Sequence, residues 1–434
     1  MMRSRSSVRR PAPNEALSLR RNMVWNSAGS FVNYFCQWLI TVIVVRLSSS
    51  YDAAGVYTYV MAVYALFAPV ANYRTYVYQV SDLHGENTLG EYFSFRCLTS
   101  GMALAITMLY ALVSCDPSML LSIFLFTLYK LVLLVSDVFH ACEQKHERMD
   151  YIGISYGLQG ILSLTVFSVV FGLTKDMNMT FAAMMLTGLV FGLVYDLPKG
   201  RLFEEFVPRL SWKKAWDLLK TCAPAVLGSV AGAGAVSIPR QYLSFALGEA
   251  ALGAYGTMAA PVAVIQTGAS YIYNPLITYF IRSFEAGDHV GFKRLMAKVV
   301  VALVALGLVC AVGVQVLGDP FFTAVYGESA RSHLYLLQPL VLSAILVAFQ
   351  AFMNDLVMAL RSIATTFWSN VISVSIAMVA MVPAVTSFGP NGVTITLIAA
   401  TVGSLLYMTF GLRAVLRSMP DVDPVKGTDH GSVG

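Results

Sequence analysis

Long apolar stretches separated by short polar segments run through almost the whole chain. Each stretch has about 20 residues, which is enough to cross the roughly 30 Å hydrocarbon layer of a bilayer as a helix. Because backbone groups in lipid must be satisfied internally, continuous apolar runs of this length predict α-helices. The predicted spans are 24–45, 54–78, 92–114, 119–141, 151–173, 179–197, 218–240, 252–281, 292–317, 334–360, 364–387 and 392–416.

The pattern of the first half recurs in the second. When residues 54–96 are shifted by 198 positions onto 252–294, seven of 43 positions are identical, and six of these fall in the first 20. The charges differ, since Arg74 aligns with Ile272. The duplication predicts an all-α polytopic membrane protein with about 12 transmembrane helices in two six-helix bundles. A pseudo-two-fold axis along the membrane normal would relate the bundles.

Composition and charge agree with a membrane protein. The 434 residues are 57% hydrophobic and only 12% charged, whereas soluble domains carry about 25% charged residues. With the N-terminus in the cytoplasm, 23 of the 29 Lys and Arg residues fall on the inner side. The positive-inside rule therefore predicts a multi-pass protein of the bacterial cytoplasmic (inner) membrane with both termini cytoplasmic. Solvated inner loops explain the net charge of +5, and no nucleic-acid partner is predicted.

The spans and the charged segments between them define five regions. The most charged internal stretch, 198–217, predicts a linker between the two halves. The regions are a basic cytoplasmic N-terminus (1–23), an N-terminal six-helix bundle (24–197), the cytoplasmic linker (198–217), a C-terminal six-helix bundle (218–416) and a cytoplasmic tail (417–434).

Motifs for metal binding or hydrolytic chemistry are missing from the sequence. The six cysteines are scattered singly without a CxxC, so neither a disulfide framework nor a zinc site is indicated. His140, Cys142, Glu143 and His146 are of ligand-forming types, but their spacing matches no strong metal motif. There is no GxxxxGK[ST] or HExxH signature. We predict no metal, no cofactor and no enzymatic activity.

Basic residues within or beside the spans are the strongest candidates for substrate contacts. An ionisable group at the centre of a span costs about 2.5–3.5 kcal/mol on insertion scales, so it usually has a function. Lys130 lies mid-span, and a guanidinium suits planar contact with phosphate. Snorkelling to the interface is the alternative for the arginines near span ends, and an internal ion pair is the alternative for Lys130. The predicted diphosphate- or sugar-binding residues are Arg46, Arg74, Lys130, Arg240 and Gln79.

Acidic residues and helix-breaking residues give two further sets of candidates. Asp82, Asp137 and Asp355 are predicted to serve ion coupling or gating, or else to neutralise nearby cations. The span 218–240 contains Pro224, Gly228, Gly232 and Pro239, which predict a hinge, with plain helix packing as the alternative. Tyrosines of the span 54–78 could stack on sugar rings, although an interfacial belt is the commoner explanation.

Four segments resemble a known family. ANYRTYVYQVSD (71–82), YFSFR (92–96), SDVFHACEQKHERMDYIGIS (136–155) and IPRQYL (238–243) are similar to bacterial polysaccharide flippases of the O-antigen-translocase type, in the multidrug/oligosaccharidyl-lipid/polysaccharide exporter superfamily. The positions that match the family motifs are Arg74, Gln79, Asp82, Arg96, Gln144, Arg148, Asp150 and Arg240. One departure is Leu133, where similar proteins often carry a glutamate, and it puts that route of ion coupling in doubt.

The resemblance implies a V-shaped exporter fold with a central cavity. It also implies translocation of an undecaprenyl-diphosphate-linked oligosaccharide from the cytoplasmic to the outer leaflet by alternating access, coupled to an ion gradient. Membrane lipid, a polysaccharide polymerase and glycosyltransferases are the implied partners. A multidrug or cation antiporter of the same superfamily is the first alternative. A membrane-embedded polymerase or ligase is the second, although the outer segments are shorter than such an enzyme requires.

Overall fold

The computed structural model describes residues 15–48, 50–82 and 85–417, and the regular structure in these residues is helical throughout. The α-helices are α1 (Leu19–Leu47), α2 (Asp52–Asn72), α3 (Thr75–Ser81), α4 (Leu89–Ser114), α5 (Leu120–Lys145), α6 (Met149–Thr174), α7 (Met177–Phe191), α8 (Leu197–Gly200), α9 (Trp212–Leu247), α10 (Glu249–Glu285), α11 (His289–Tyr326), α12 (Leu337–Ala359), α13 (Ile363–Phe388) and α14 (Asn391–Leu416). A 3-10 turn (Pro117–Met119) precedes α5, a π-helical turn (Gly192–Asp196) joins α7 to α8, and a 3-10 segment (Glu328–Leu336) precedes α12.

Eleven helical stretches in the described residues are long and apolar enough to cross a membrane. Helix α10, with 37 residues, is a further long helix at the place of the predicted span 252–281. Many large apolar side chains on these helices are exposed, among them Leu308, Val309 and Val312 of α11, as expected for surfaces that face lipid. The predicted fold class, an all-α polytopic membrane protein, is confirmed.

The chain divides into two compact units, Met1–Ala233 (unit 1) and Gly234–Gly434 (unit 2). The division falls within α9, which runs without interruption through the predicted hinge residues. Helix α9 begins at Trp212, so its first turns lie in the segment 198–217, for which we predicted a linker.

Aromatic rings fill the core of unit 1. The Phe126 ring of α5 contacts Tyr57 of α2 with the centroids 5.8 Å apart, and Phe181 of α7 at 5.1 Å, both edge to face. Phe167 of α6 completes the cluster at 6.0 Å from Tyr57. Edge-to-face pairs of buried rings each add about 0.5–1.5 kcal/mol beyond their buried area. These contacts hold α2, α5, α6 and α7 together in one bundle.

Glycines allow α1 and α6 to pack with their backbones in contact. A Cβ atom on Gly29 would lie 2.0 Å from the carbonyl oxygen of Gly153, and a Cβ on Gly153 would lie 2.2 Å from the carbonyl oxygen of Trp25. No side chain fits at either position, so small residues are required there, as is common in helix pairs of membrane proteins.

Unit 2 is built around contacts of α12 with α10 and α14, and of α13 with α14. Its core contains Phe280 of α10, Phe292 of α11 and Phe352 of α12, with the Phe280 centroid 5.0 Å from Phe292 and 5.6 Å from Phe352. Gly392 of α14 lies against the backbone of Ala384 and Val385 in α13.

Candidate functional site

The predicted cations of unit 1 lie at three depths. We call the end of unit 1 where α1 begins the proximal end, and the opposite end the distal end. Arg46 is exposed in the last turn of α1, at the distal end. Arg74 lies 22 residues after the first residue of α2, about 33 Å away at 1.5 Å per residue. Lys130 lies ten residues into α5, about 15 Å from its distal end. The three residues form a series rather than one cluster.

Lys130 occupies an aromatic environment. Its Nζ atom lies 5.1 Å from the ring centroid of Tyr129 and 5.5 Å from that of Phe126. Its side chain is partly buried, and within the described residues it forms no ion pair or hydrogen bond. The internal ion pair that we weighed for this lysine is therefore not formed with the described residues. Contact with an aromatic face stabilises an ammonium group by only about 0.5–2 kcal/mol.

Arg74 lies at a break in a transmembrane helix. The sequence predicts one helix over 54–78, but the structure has α2 ending at Asn72 and α3 beginning at Thr75. Tyr73 and Arg74 between them adopt left-handed backbone angles, with φ of 41° and 55°. Such angles are costly for residues other than glycine. The break therefore places Arg74 outside regular helix, between the end of α2 and the start of α3.

The second copy of the repeat has no such break. Helix α10 continues through Ile272, the residue aligned with Arg74. A β-branched residue such as isoleucine is strongly disfavoured at positive φ. The difference between the two copies therefore includes backbone shape as well as charge.

Arg96 of α4 caps the broken end of α2. Its Nη1 atom donates hydrogen bonds to the carbonyl oxygens of Ala71 (3.1 Å) and Asn72 (2.8 Å). The Thr99 hydroxyl donates a second hydrogen bond to Ala71, at 2.9 Å. Arg96 is completely buried, and its positive charge lies at the negative end of the α2 dipole. The equivalent Arg294, in the copy without a break, is exposed.

Gln79 and Asp82 organise the proximal end of unit 1. Gln79 donates a hydrogen bond to the carbonyl oxygen of Val138, at 2.9 Å, and so attaches α3 to α5. Asp82 accepts hydrogen bonds from the amides of Glu86 (2.9 Å) and Asn87 (3.0 Å) and from the Tyr92 hydroxyl (2.8 Å). Burial opposes ionisation of Asp82, but these donors hold its pKa below the ordinary value. In this structure both side chains hold neighbouring segments in place.

The remaining motif residues of unit 1 close the turn between α5 and α6. Arg148 forms a two-pronged ion pair with Asp150, with both N–O distances 2.9 Å, and the Asp150 carboxylate raises the pKa of Arg148. The Tyr76 hydroxyl donates a hydrogen bond to Gln144. Asn22 of α1 donates to the carbonyl oxygens of Leu17 and Glu147 and accepts from the Met149 amide.

Asp137 belongs to a buried polar cluster that the sequence revealed only in part. His140 Nδ1 lies 3.4 Å from Asp137 Oδ1, and His140 Nε2 lies 3.4 Å from Asp196 Oδ1. The Ser155 hydroxyl donates to Asp196 at 2.7 Å and lies 3.0 Å from His140 Nε2. Gln159 donates to Ser155. His140, Asp196 and Ser155 are at most 1% exposed. We call these five residues the α5–α6 polar cluster.

Sequence reasoning missed Asp196 because it lies at the very end of the predicted span 179–197, where a charge is unremarkable. The π-helical turn Gly192–Asp196 turns it inward. Such turns are rare and frequently mark functional positions. Pro198, which lacks a backbone N–H, was the one available signal of irregular geometry there.

In unit 2 the predicted residues Arg240 and Asp355 contact different partners. Arg240 of α9 lies beside the buried hydroxyl of Tyr255, to which Thr394 also donates a hydrogen bond, at 3.4 Å. Asp355 of α12 is exposed and accepts a hydrogen bond from Tyr273, at 3.3 Å. The hinge predicted at Pro224, Gly228, Gly232 and Pro239 stays a prediction.

Among the described residues, one group has the geometry to hold a metal ion. It consists of Cys142, His146 and Glu204, at the proximal end of unit 1.

Comparisons with known proteins establish the fold. No family model matches the chain. A capsular polysaccharide biosynthesis protein, CapF of Staphylococcus aureus, is 21% identical over 313 residues, which cover 71% of this chain and 77% of CapF.

Two solved structures cover nearly the whole chain. The lipid II flippase MurJ, in an inward closed conformation, has a TM-score of 0.68 at 11% identity and covers 92% of this chain and 90% of its own. An inward-facing multidrug resistance MATE transporter of the MOP superfamily has a TM-score of 0.66 at 12% identity, with 91% and 99% covered. At these identities the likeness shows the fold, and CapF supports the resemblance to polysaccharide flippases seen in the motifs. The chain is therefore a polytopic helical membrane protein with the fold of MOP-superfamily transporters.

Proposed function

We propose that the chain is a flippase for a lipid-linked, anionic saccharide. The cargo is an undecaprenyl-diphosphate-linked oligosaccharide, which moves from the cytoplasmic to the outer leaflet of the bacterial cytoplasmic membrane by alternating access. The similarity to CapF, whose name places it in capsular polysaccharide biosynthesis, supports a saccharide cargo. The likeness to a lipid II flippase supports a lipid-linked one. In this proposal the proximal end of unit 1 is cytoplasmic.

The observation that carries the proposal is the ammonium group of Lys130. It lies at mid-depth in α5, against Tyr129 and Phe126 and without a carboxylate partner among the described residues. A cation at the centre of a span costs about 2.5–3.5 kcal/mol on insertion scales. A passing diphosphate would supply the missing countercharge. Arg74 at the proximal end would contact the diphosphate before Lys130 does, and Arg46 at the distal end would contact it afterwards.

Translocation in reconstituted vesicles tests this role. Lys130→Met should slow the flipping of an undecaprenyl-diphosphate saccharide about 10- to 100-fold, because a charge-assisted contact contributes about 1.5–3 kcal/mol. Lys130→Arg keeps the charge and should retain most of the activity. Lys293→Met, at an exposed position of α11, is the matched control. If Lys130→Met folds and flips the substrate at the wild-type rate, the proposal is wrong.

We further propose that transport is coupled to protons through the α5–α6 polar cluster. Its core is His140 held between two carboxylates, those of Asp137 and Asp196. Uptake of a proton by the α5–α6 polar cluster would neutralise buried negative charge. It would therefore change how α5, α6 and the π-helical turn pack together. Other ionisable groups interact with this core, namely Glu143, Arg96, Tyr156, Tyr64, Tyr76 and Tyr195. Asp150 and Lys199 interact in turn with Glu143.

A pH gradient across the vesicle membrane tests the coupling. In wild-type protein an imposed gradient should accelerate flipping. Asp196→Asn and His140→Gln should abolish this acceleration while exchange without a gradient continues. Asp217→Asn, at an exposed carboxylate in the first turns of α9, should leave the acceleration intact. An undiminished response in both cluster variants would overturn the coupling while leaving the flippase proposal in place.

A cation or multidrug antiporter is the second candidate. The observation that favours it is the concentration of buried carboxyl groups in unit 1, where Glu143 and Asp196 are each 1% exposed. A drug-efflux assay separates the two functions. Resistance to cationic drugs on expression, together with no flipping in vesicles, would favour the antiporter.

A further inference from the structure

The proximal end of unit 1 brings together a thiol, an imidazole and a carboxylate. Cys142 and His146 lie four residues apart, on one face at the end of α5. Glu204 comes from the segment after α8, 58 residues beyond His146 in the sequence. One ligand atom from each residue lies within 4.8 Å of the others. We propose that Cys142, His146 and Glu204 bind one divalent transition-metal ion of the zinc type.

The spacing fits tetrahedral coordination. Zinc binds thiolate sulfur at about 2.3 Å and imidazole nitrogen at about 2.0 Å, which places the two ligand atoms about 3.5 Å apart. Cys142 Sγ and His146 Nδ1 are 3.9 Å apart, so a shift of a few tenths of an ångström brings them into range. Three protein ligands and one water complete the four positions.

The surroundings orient the ligands. The His146 ring stacks on Phe203 with the centroids 5.0 Å apart and the planes at 24°, which fixes the neighbouring Glu204 beside it. His146 Nδ1 is 2.9 Å from the Cys142 carbonyl oxygen. Coordination through Nε2 would keep this hydrogen bond as the supporting contact typical of metal-bound histidines. Coordination through Nδ1 would replace it.

Charge balance shows what the metal must displace. Glu204 now pairs with Lys145, whose Nζ lies 3.5 Å from Glu204 Oε1. On binding, the Cys142 thiol loses its proton to solvent, and thiolate and carboxylate together neutralise the 2+ charge of the ion. Lys145 then competes with the metal for Glu204. Removal of Lys145 should therefore strengthen metal binding, an effect that a purely structural role of these three residues would not produce.

A bound ion would join the segment after α8 to the end of α5. Glu204 lies in the non-helical stretch between α8 and α9, so the metal would hold that stretch against the end of α5. This inference is independent of the flippase proposal, because it concerns binding and not transport.

Cobalt(II) binding to the full-length protein in detergent, with any purification tag removed, tests the site. We expect one equivalent of Co²⁺ with the near-ultraviolet thiolate-to-cobalt absorption and the visible bands of tetrahedral Co²⁺. Cys142→Ser should abolish the near-ultraviolet band, whereas Cys97→Ser, at an exposed thiol, should not change it. His146→Gln and Glu204→Gln should each weaken binding at least tenfold. A wild-type protein without the band, or a band unchanged in Cys142→Ser, would overturn the proposal.

Two further measurements cover the case in which a ligand variant folds poorly. Lys145→Met leaves all three ligands in place and should bind Co²⁺ more tightly than wild type; binding no tighter than wild type would exclude Glu204 as a ligand. Zn²⁺ should raise the apparent melting temperature of the wild-type protein by mass action. The same rise in Cys142→Ser would assign the stabilisation to another site and count against this one.

Discussion

Removal of the guanidinium of Arg96 tests how the broken helix α2 is held. Arg96→Met keeps a long apolar side chain but leaves the Asn72 carbonyl without its 2.8 Å partner, while Thr99 still donates to Ala71. A buried polar group without a partner costs about 1–3 kcal/mol, and a hydrogen bond from a charged donor contributes about 1.5–3 kcal/mol. The guanidinium also has two buried nitrogens, Nε and Nη2, without hydrogen-bond partners among the described residues. Removing these two unsatisfied nitrogens offsets part of the loss in the free energy of unfolding.

The net destabilisation of Arg96→Met should be about 2–4 kcal/mol. On the scale of globular domains this corresponds to a fall of the melting temperature on the order of 5–10 °C. Thermal unfolding in detergent, followed by tryptophan fluorescence, measures it.

The duplicated sequence supplies the control. Arg294→Met removes the aligned arginine of unit 2, which is exposed, and should change the stability by no more than about 0.5 kcal/mol. Arg96→Lys keeps one charged donor and should recover part of the loss. Equal melting temperatures for Arg96→Met and Arg294→Met would refute the capping role of Arg96.

Three further predictions concern unit 1. Gly153→Ala should lower the melting temperature strongly, because its Cβ would overlap the carbonyl of Trp25, whereas Gly157→Ala on the same helix meets nothing within 4 Å and should be neutral. Asn22→Ala loses three hydrogen bonds to backbone groups and should cost about 1–3 kcal/mol, seen as faster proteolysis of the turn between α5 and α6. Asp82 has a lowered pKa, so its stabilising contribution is present above the ordinary carboxyl pKa and is lost as the pH falls through the folded-state value. Melting temperatures measured between pH 6 and pH 3 should therefore fall less steeply in Asp82→Asn, and identical slopes would contradict this.

The sequence by itself determined the fold class and the approximate position of the helices. Apolar runs of membrane-spanning length can only become helices in lipid, since no water is present to satisfy the backbone. For this reason the predicted spans and the observed helices agree along most of the chain. The four motif segments also pointed to the fold, which the likeness to solved MOP-superfamily transporters confirmed.

The tertiary structure decided the roles of individual polar residues. Hydropathy cannot distinguish Arg96, which caps a broken helix, from Arg294, which is exposed, although the two align in the repeat. Asp196 and Glu204 lie far in sequence from His140 and Cys142, so the polar cluster and the thiol–imidazole–carboxylate group exist only once the helices pack. A residue's own type sets whether it can carry charge or bind an ion, but its partners come from distant segments. In a membrane protein those partners decide whether a buried charge caps a helix, binds an ion or is left available to bind a substrate.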